Sequence, residues 1–267
     1  MDTRESDFDE GTITTECVVV TRGGQEAVDT EVINERMISF YVNGQELVTV
    51  MATPVMQQAH GVGFLANEGI IQSLEDVEDV RLCARGTCVD MWLAYSDYPA
   101  PQRRILTSGC GSGVTFDDLT REAPPLSSTR CIPADTLWVL MEQLDRSASL
   151  YKRARGVHTS ALSDGERLLL VAEDVGRHNT LDKLHGLALL EGVDTRDCAL
   201  LTTGRISSEM INKAHRMQTP VVCSRTSPTS LSTSLAQVWN IALVGYCRRN
   251  SMRVYTHHER ILTQSSG

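Results

Sequence analysis

The apolar positions change their period partway along the chain. In the first part, short alternating runs are separated by turn residues. Cys17–Arg22 reads as a strand. Met37–Val42 and Glu46–Met51 read as a hairpin around Asn43-Gly44, a pair suited to a two-residue turn. Thr53-Pro54 then reads as an N-cap and first helical residue. The helix they open carries Val55, Ala59, Val62 and Leu65 towards the core and stops at Gly69. A further hairpin is expected within Arg81–Tyr95, turning at Arg85-Gly86.

Beyond the polar stretch from Ser108 to Arg130, helical spacing appears at Leu137, Leu140, Met141 and Leu144. Strand and helix patterns then alternate. Strands are predicted at Val157–Leu162, Arg167–Ala172, Ala199–Thr203, Pro220–Cys223 and Ile241–Tyr246, the first two joined by Ser163-Asp164-Gly165. Helices are predicted at Asn179–Leu190, Ile206–Met217 and Ser230–Trp239. Such alternation predicts a mostly parallel sheet covered by helices, with binding loops at the strand ends. The expected fold is α/β, in three parts: an acidic tail over 1–15, a β-rich N-terminal domain over 16–113, and an αβα domain over 114–267. The polar run Ser96–Arg104 is the candidate crossing between the last two.

Composition narrows the class. The 267 residues are 41% hydrophobic and 22% charged, ordinary for a soluble globular chain. Collagen, coiled coil and small secreted disulfide scaffold are excluded. No apolar run approaches the roughly 20 residues of a membrane span. The acidic start MDTRESDFDE lacks the features of an export signal, so a cytoplasmic location is expected. The net charge of −9 is unevenly placed. Residues 1–35 hold ten acids against two arginines, a net of −8, whereas 204–267 hold eight bases against two glutamates, a net of +6. The chain uses 22 Arg and 3 Lys, and Arg suits bidentate contact with phosphate or carboxylate. The eight cysteines are expected to be reduced and mostly small core residues, with Cys83 and Cys88 flanking a hairpin turn.

Five segments could carry chemistry. In Thr107-Ser108-Gly109-Cys110-Gly111-Ser112-Gly113 a cysteine stands among glycines and serines, a poor setting for burial. Glycine turns there could aim amides at a thiolate and make it nucleophilic; the alternative is an incidental cysteine in a mobile loop. Glu173-Asp174-Val175-Gly176-Arg177-His178-Asn179 and Gly204-Arg205-Ile206-Ser207-Ser208-Glu209 fall at successive strand–helix junctions, where anions bind. There Asp174 and Ser207 serve as helix caps in the alternative reading, with the arginines in ion pairs. Ser224-Arg225-Thr226-Ser227-Pro228-Thr229-Ser230 is a hydroxyl-rich loop before a helix, with an arginine but no P-loop lysine. Gly245-Tyr246-Cys247-Arg248-Arg249-Asn250-Ser251 places paired arginines beside an aromatic, a combination suited to a nucleotide. All these loops are expected on one edge of the sheet. His158 lacks the H-x-E and PCxxC partners of a zinc deaminase, so no metal site is expected and the histidine reads as structural.

Together these segments resemble the FdhD family, sulfur-carrier accessory proteins of formate dehydrogenase. The resemblance rests on TPVMQQAHGVGFLANEGII (53–71), GVHTSAL (156–162), EDVGRHNTLDKLHG (173–186), TTGRISSEM (202–210), SRTSPTSL (224–231) and LVGYCRR…VYTHHERI (243–261), in family order. It implies a C-terminal domain similar to cytidine deaminases without the zinc chemistry, and a homodimer. It also implies that Cys110 accepts persulfide sulfur from a cysteine desulfurase and passes it to the molybdenum bis-molybdopterin guanine dinucleotide cofactor before insertion into formate dehydrogenase. Tyr246, Cys247, Arg248, Arg249, Asn250 and Ser251 match the segment assigned to the guanine dinucleotide. Arg177, His178, Arg205 and Arg225 are added here as candidates for its phosphates and pterin. No nucleic-acid partner is expected. One departure stands out: Gly113 replaces the family's usual second loop cysteine, so a disulfide within that loop is not expected. Cys247 is a candidate substitute. A cofactor-binding chaperone without sulfur transfer is the alternative function.

Overall fold

The computed structural model describes residues 11–96, 98, 105–106, 114–115 and 123–263. Strands β1 (Thr12–Thr21) and β2 (Gly24–Ile33) pair as an antiparallel ribbon that takes in residues read from sequence as tail. Its register puts Ile13, Val32, Thr15, Thr30, Cys17 and Val28 on one face and Glu16, Asp29 and Glu31 on the other.

Next come β3 (Arg36–Val42), β4 (Gln45–Ala52), α1 (Gln57–Asn67), β5 (Val77–Leu82) and β6 (Cys88–Leu93). The strands form a sheet in the order β4-β3-β6-β5. Asn43 and Gly44 turn the first hairpin with φ of 50° and 77°, the positive pair the sequence asks for. Thr53-Pro54 does not open the helix; α1 starts later, after Met56 at φ 58°. Thr53 is instead buried, its amide donating to Asp174 Oδ2 at 3.0 Å and its hydroxyl accepting from the Val175 amide at 3.2 Å. Cys83 and Cys88 pair as a disulfide across the Arg85-Gly86 turn, correcting the expectation of free thiols there.

Short strands β7 (Ile105–Leu106) and β8 (Val114–Thr115) pair with each other. After them run β9 (Ile132–Pro133), α2 (Ala134–Ser147), α3 (Ser149–Ala154), β10 (His158–Ser163), β11 (Leu168–Asp174), α4 (Arg177–Glu191), β12 (Ala199–Thr202), α5 (Ser208–Arg216), β13 (Val221–Ser224), α6 (Ser230–Val238), β14 (Ala242–Arg248), β15 (Ser251–Val254) and β16 (Ile261–Leu262). Arg153 of α3 holds both carboxylate oxygens of Glu31, tying down the base of the ribbon.

The larger sheet has the order β11-β10-β12-β13-β14-β15. It is mixed rather than mostly parallel: β12, β13 and β14 are parallel neighbours, while β10 and β15 run against theirs. The two-residue-period hairpins at each end explain the difference, since a short turn forces antiparallel pairing. Leu162, Leu170, Leu200, Val222 and Leu243 pack under α4, α5 and α6 on one face. Ala161, Leu201, Val221, Cys223 and Val244 pack under α2 on the other. Helices therefore cover both faces.

Helix α1 joins the two sheets. Nearly every side of it is buried, because the four-stranded sheet covers one face and α4 the other. The helices cross at Gly63 and Gly186, where a Cβ on either would fall inside the partner's backbone, at the Asp182 carbonyl or the Ala59 carbonyl. Around this crossing the buried charges are stitched. Lys183 Nζ lies 2.6 Å from Asp174 Oδ2 and 3.0 Å from the Thr53 carbonyl, with both ionic side chains 0% exposed. Asp174 Oδ1 accepts from the Gly176 amide at 2.7 Å and from Asn179 Nδ2 at 2.8 Å. Asp182 accepts from Lys213 at 2.6 Å and from Asn67 at 2.7 Å, and His185 Nδ1 meets Asn67 Oδ1 at 2.7 Å. The long signature from Glu173 to Gly186 thus spends most of its polar groups inside the protein.

Candidate functional site

The directions of β11, β12, β13 and β14 are the same, so the four segments that follow them leave the same edge of the sheet. Cys110 and Gly113 lie outside the described residues. What the edge brings together is a cleft of about 660 Å³ between α2 and the ends of β13 and β14. Arg225, Cys247, Arg248 and Arg249 form one wall; Trp138, Glu142 and Asp145 of α2 contribute to the other.

Each basic residue is placed by local chemistry. Ser224 Oγ donates to the Gly204 carbonyl at 2.6 Å and accepts from the Thr226 amide at 3.0 Å, folding the turn that carries Arg225. The Arg225 amide donates to the Thr202 carbonyl at 3.2 Å, and its guanidinium pairs with Asp145. Burial, then the charge of Arg248, depresses the Arg225 pKa, so two cations share this wall. An anion between them would relieve that repulsion.

The Tyr246–Ser251 segment is not the open loop expected from sequence. β14 continues to Arg248, Arg249-Asn250 makes the turn, and Ser251 starts β15. A bulge lies between Gly245 and Arg248, with Tyr246 at φ 51° and the Arg253 guanidinium 4.5 Å from its ring centroid. A bulge adds one residue and re-aims those after it. Here it turns Cys247 inward, onto the α2 face beside Cys223, while Arg248 stays exposed. The neighbouring Cys223 lowers the Cys247 pKa, while Cys247, with burial, raises that of Cys223. Tyr246 and Ser251 share a second recess of about 390 Å³ with Arg248.

Arg177, His178 and Arg205 do not line the main cleft. Arg177 and His178 form the buried first turn of α4, and Arg205 is exposed in the segment after β12. His178 Nε2 lies 2.8 Å from Glu209 Oε2 and 3.2 Å from Ser207 Oγ. Burial depresses the His178 pKa against the raising effect of Glu209. Ser207 sits at the N-cap position of α5, with no side-chain hydrogen bond to that helix. His158, read from sequence as structural, lines a pocket of about 230 Å³ with Thr203, Asp145 and Arg225, so this pocket shares two residues with the cleft. Burial, then the charges of Arg177 and His178, depresses the His158 pKa. The cluster therefore sits beside the cleft, behind Gly204, whose Cβ would press on Arg177 and lie in contact with His158.

The α2 wall was missed in the sequence. Glu142 and Asp145 lie one turn apart on the polar face of an amphipathic helix whose buried side is Leu137, Leu140, Met141 and Leu144, a pattern that does not set them apart from other surface acids.

Residues 33–262 match the FdhD/NarQ family profile. The sulfur carrier protein FdhD of Wolinella succinogenes is 36% identical over 258 residues, covering 91% of this chain and 88% of that protein. The sulfur carrier protein FdhD of Bacillus subtilis is 33% identical over 251 residues, covering 90% and 94%. Among solved structures, a formate dehydrogenase accessory protein from Desulfotalea psychrophila superposes with a TM-score of 0.80 at 29% identity, over 95% of this chain and all of that one.

Proposed function

The chain belongs to the FdhD/NarQ family, and from that premise we propose that it is a cytoplasmic, homodimeric sulfur carrier for formate dehydrogenase. Cys110 receives sulfur from a cysteine desulfurase as a persulfide and passes it to the molybdenum bis-molybdopterin guanine dinucleotide. The relatives' name, sulfur carrier protein, supports the sulfur chemistry. The observation that carries the binding half is the cleft where Arg225, Arg248 and Arg249 converge.

The residues fit such a substrate. Guanidinium groups give bidentate contacts to pyrophosphate oxygens. Trp138 supplies an aromatic surface, and Glu142 and Asp145 supply acceptors for N–H groups on a base. Asp145 holds Arg225 until an anion competes for it. In the transfer itself a thiolate attacks the outer sulfur of the donor's persulfide; the new S–S bond forms at Cys110 and the donor thiolate leaves. The same reading takes the six-stranded sheet, with helices on both faces, as a deaminase-like layering.

Incubating the full chain with a cysteine desulfurase and cysteine should add about 32 Da to the Cys110 peptide, the mass of one sulfur in a persulfide. Cys110→Ser should lose both that gain and formate dehydrogenase maturation. Retained maturation in this variant refutes the carrier role. Gly113, standing where a second cysteine is common, favours the chaperone alternative. Bound cofactor without any mass gain on Cys110 would establish it.

A further inference from the structure

We infer that Cys83 and Cys88 form a thiol–disulfide exchange site, at which a small anionic thiol of the glutathione class attacks Cys88 and Cys83 leaves as the thiolate. The inference takes its reducing surroundings from the proposed cytoplasmic location and does not involve Cys110.

The hairpin is closed without the disulfide. Cys83 follows β5 and Cys88 opens β6, with Leu82 and Val89 paired directly beyond them. The Gly86 amide donates to the Cys83 carbonyl at 2.8 Å, and the Cys83 amide donates to the Cys88 carbonyl at 3.0 Å. Gln57, at the buried start of α1, donates from Nε2 to the Gly86 carbonyl at 3.4 Å. A cross-link over a sequence separation of five residues also closes a short loop, the kind that gains least from being tied. Disulfides that form in a reducing compartment are mostly transient, serving exchange or sensing. Both sulfurs belong to half-buried residues, whereas Cys198, Cys223 and Cys247 are buried.

The two sulfurs are not equivalent. The Cys88 amide donates to Cys83 Sγ at 3.1 Å, and the Thr87 hydroxyl lies 4.0 Å from the same atom. A donor already aimed at one sulfur stabilises the negative charge that grows there as the S–S bond breaks. Cys83 is therefore the better leaving group, which directs an outside thiolate to Cys88 Sγ. Arg85, exposed and the one charged residue between the two cysteines, adds a cation that suits an anionic donor.

In the first step the donor thiolate RS⁻ attacks Cys88 Sγ. The bond from the donor sulfur to Cys88 Sγ forms, the Sγ–Sγ bond breaks, and its electron pair leaves on Cys83. In the second step another RS⁻ attacks the donor sulfur of the mixed disulfide, so RSSR departs and Cys88 is left as a thiolate. The protein thiolates take up the two protons that the donor thiols released. Two donor thiols are oxidised and one protein disulfide is reduced, with two electrons transferred. Because the backbone keeps the turn closed, Cys83 stays beside Cys88 and serves as the resolving thiol when oxidised glutathione drives the sequence backwards.

The test uses the full chain carrying Cys110→Ser, oxidised, treated anaerobically with reduced glutathione, quenched in acid, alkylated and digested with trypsin. Cleavage after Arg81, Arg85 and Arg103 puts the two sulfurs on separate peptides, 82–85 and 86–103. The expected early product is glutathione on Cys88 with alkylated Cys83, in excess over the reverse pattern by about tenfold. Later samples should show both cysteines alkylated with the circular dichroism spectrum unchanged, and excess oxidised glutathione should restore the disulfide. Adding Cys83→Ser should leave oxidised glutathione trapped as a lasting adduct on Cys88. A disulfide that opens only in denaturant, a first adduct on Cys83, a native spectrum lost on reduction, or a thiol pair that oxidised glutathione does not close overturns the inference. Failure of a desulfurase to load Cys110 is a separate measurement, on a cysteine that this variant lacks, and leaves these outcomes standing.

Discussion

In the seam between α1, α4 and α5 the charged side chains are buried and met on several sides: Lys183 by Asp174 and two carbonyls, Asp182 by Lys213 and Asn67. In the cleft the charges are arranged the other way. Arg225 meets Asp145, and it shares its wall with Arg248 and Arg249, cation beside cation. Satisfied groups hold the fold in one state, whereas a wall of like charges is complete only with a ligand. The most distinctive run of the sequence therefore encodes architecture, and the cleft rests on fewer, scattered residues.

The sharpest way to break this contrast is to unpair one ion in the seam. Lys183→Met leaves Asp174 buried without its cation and should cost about 3–5 kcal/mol of unfolding free energy, measured by denaturant titration. Adding Asp174→Asn should return part of that loss, because the stranded charge is then gone. A Lys183→Met protein as stable as wild type would mean that the seam is not an energetic unit.

Acid should attack the seam next. Burial, then the charges of Lys213 and Arg216, lowers the His185 pKa to about 4. In the unfolded chain its ordinary value is about 6.5, so between these values the unfolded state binds more protons. The stabilisation is complete above about pH 6.5 and is lost as pH falls towards 4, by up to about 3 kcal/mol. His60 and His178 are shifted in the same direction. Unfolding curves taken between those pH values should show this slope, and His185→Asn should flatten it.

The cleft should respond in the opposite manner. Arg248→Ala with Arg249→Ala should change stability by no more than about 0.5 kcal/mol, as exposed substitutions do. The same double change should weaken guanosine diphosphate binding by at least about tenfold, or about 1.4 kcal/mol, read by calorimetry. Unchanged affinity removes the cleft from the binding role.

Much of the layout was legible because periodicity reports burial. The Asn43-Gly44 hairpin and the alternating elements from His158 to Arg248 follow the apolar pattern closely. The role of Thr53 was not legible: its local signal fits a helix cap, but Asp174 and Lys183, far along the chain, claim its amide and carbonyl. Long-range partners also explain why Arg177 and His178 read as ligand residues while His178 is occupied with Glu209 and Ser207. The bulge at Tyr246 leaves no trace in a one-dimensional pattern, because nothing in Tyr246-Cys247-Arg248 marks a change of phase. Without it Cys247 reads as facing the α4–α6 side, with Leu243. The α2 acids were hidden by an ordinary amphipathic helix, whose polar face gives no hint of what lies opposite.

The meeting of α1 and α4 at Gly63 and Gly186 has a mechanical outcome. Two helices whose main chains touch have no cushion of side chains to slide on, so the small and large sheets are coupled rigidly. Grip on a cargo must come from swinging guanidinium groups and shifting turns at the rim, since a jaw-like closing of one half onto the other has no pivot there.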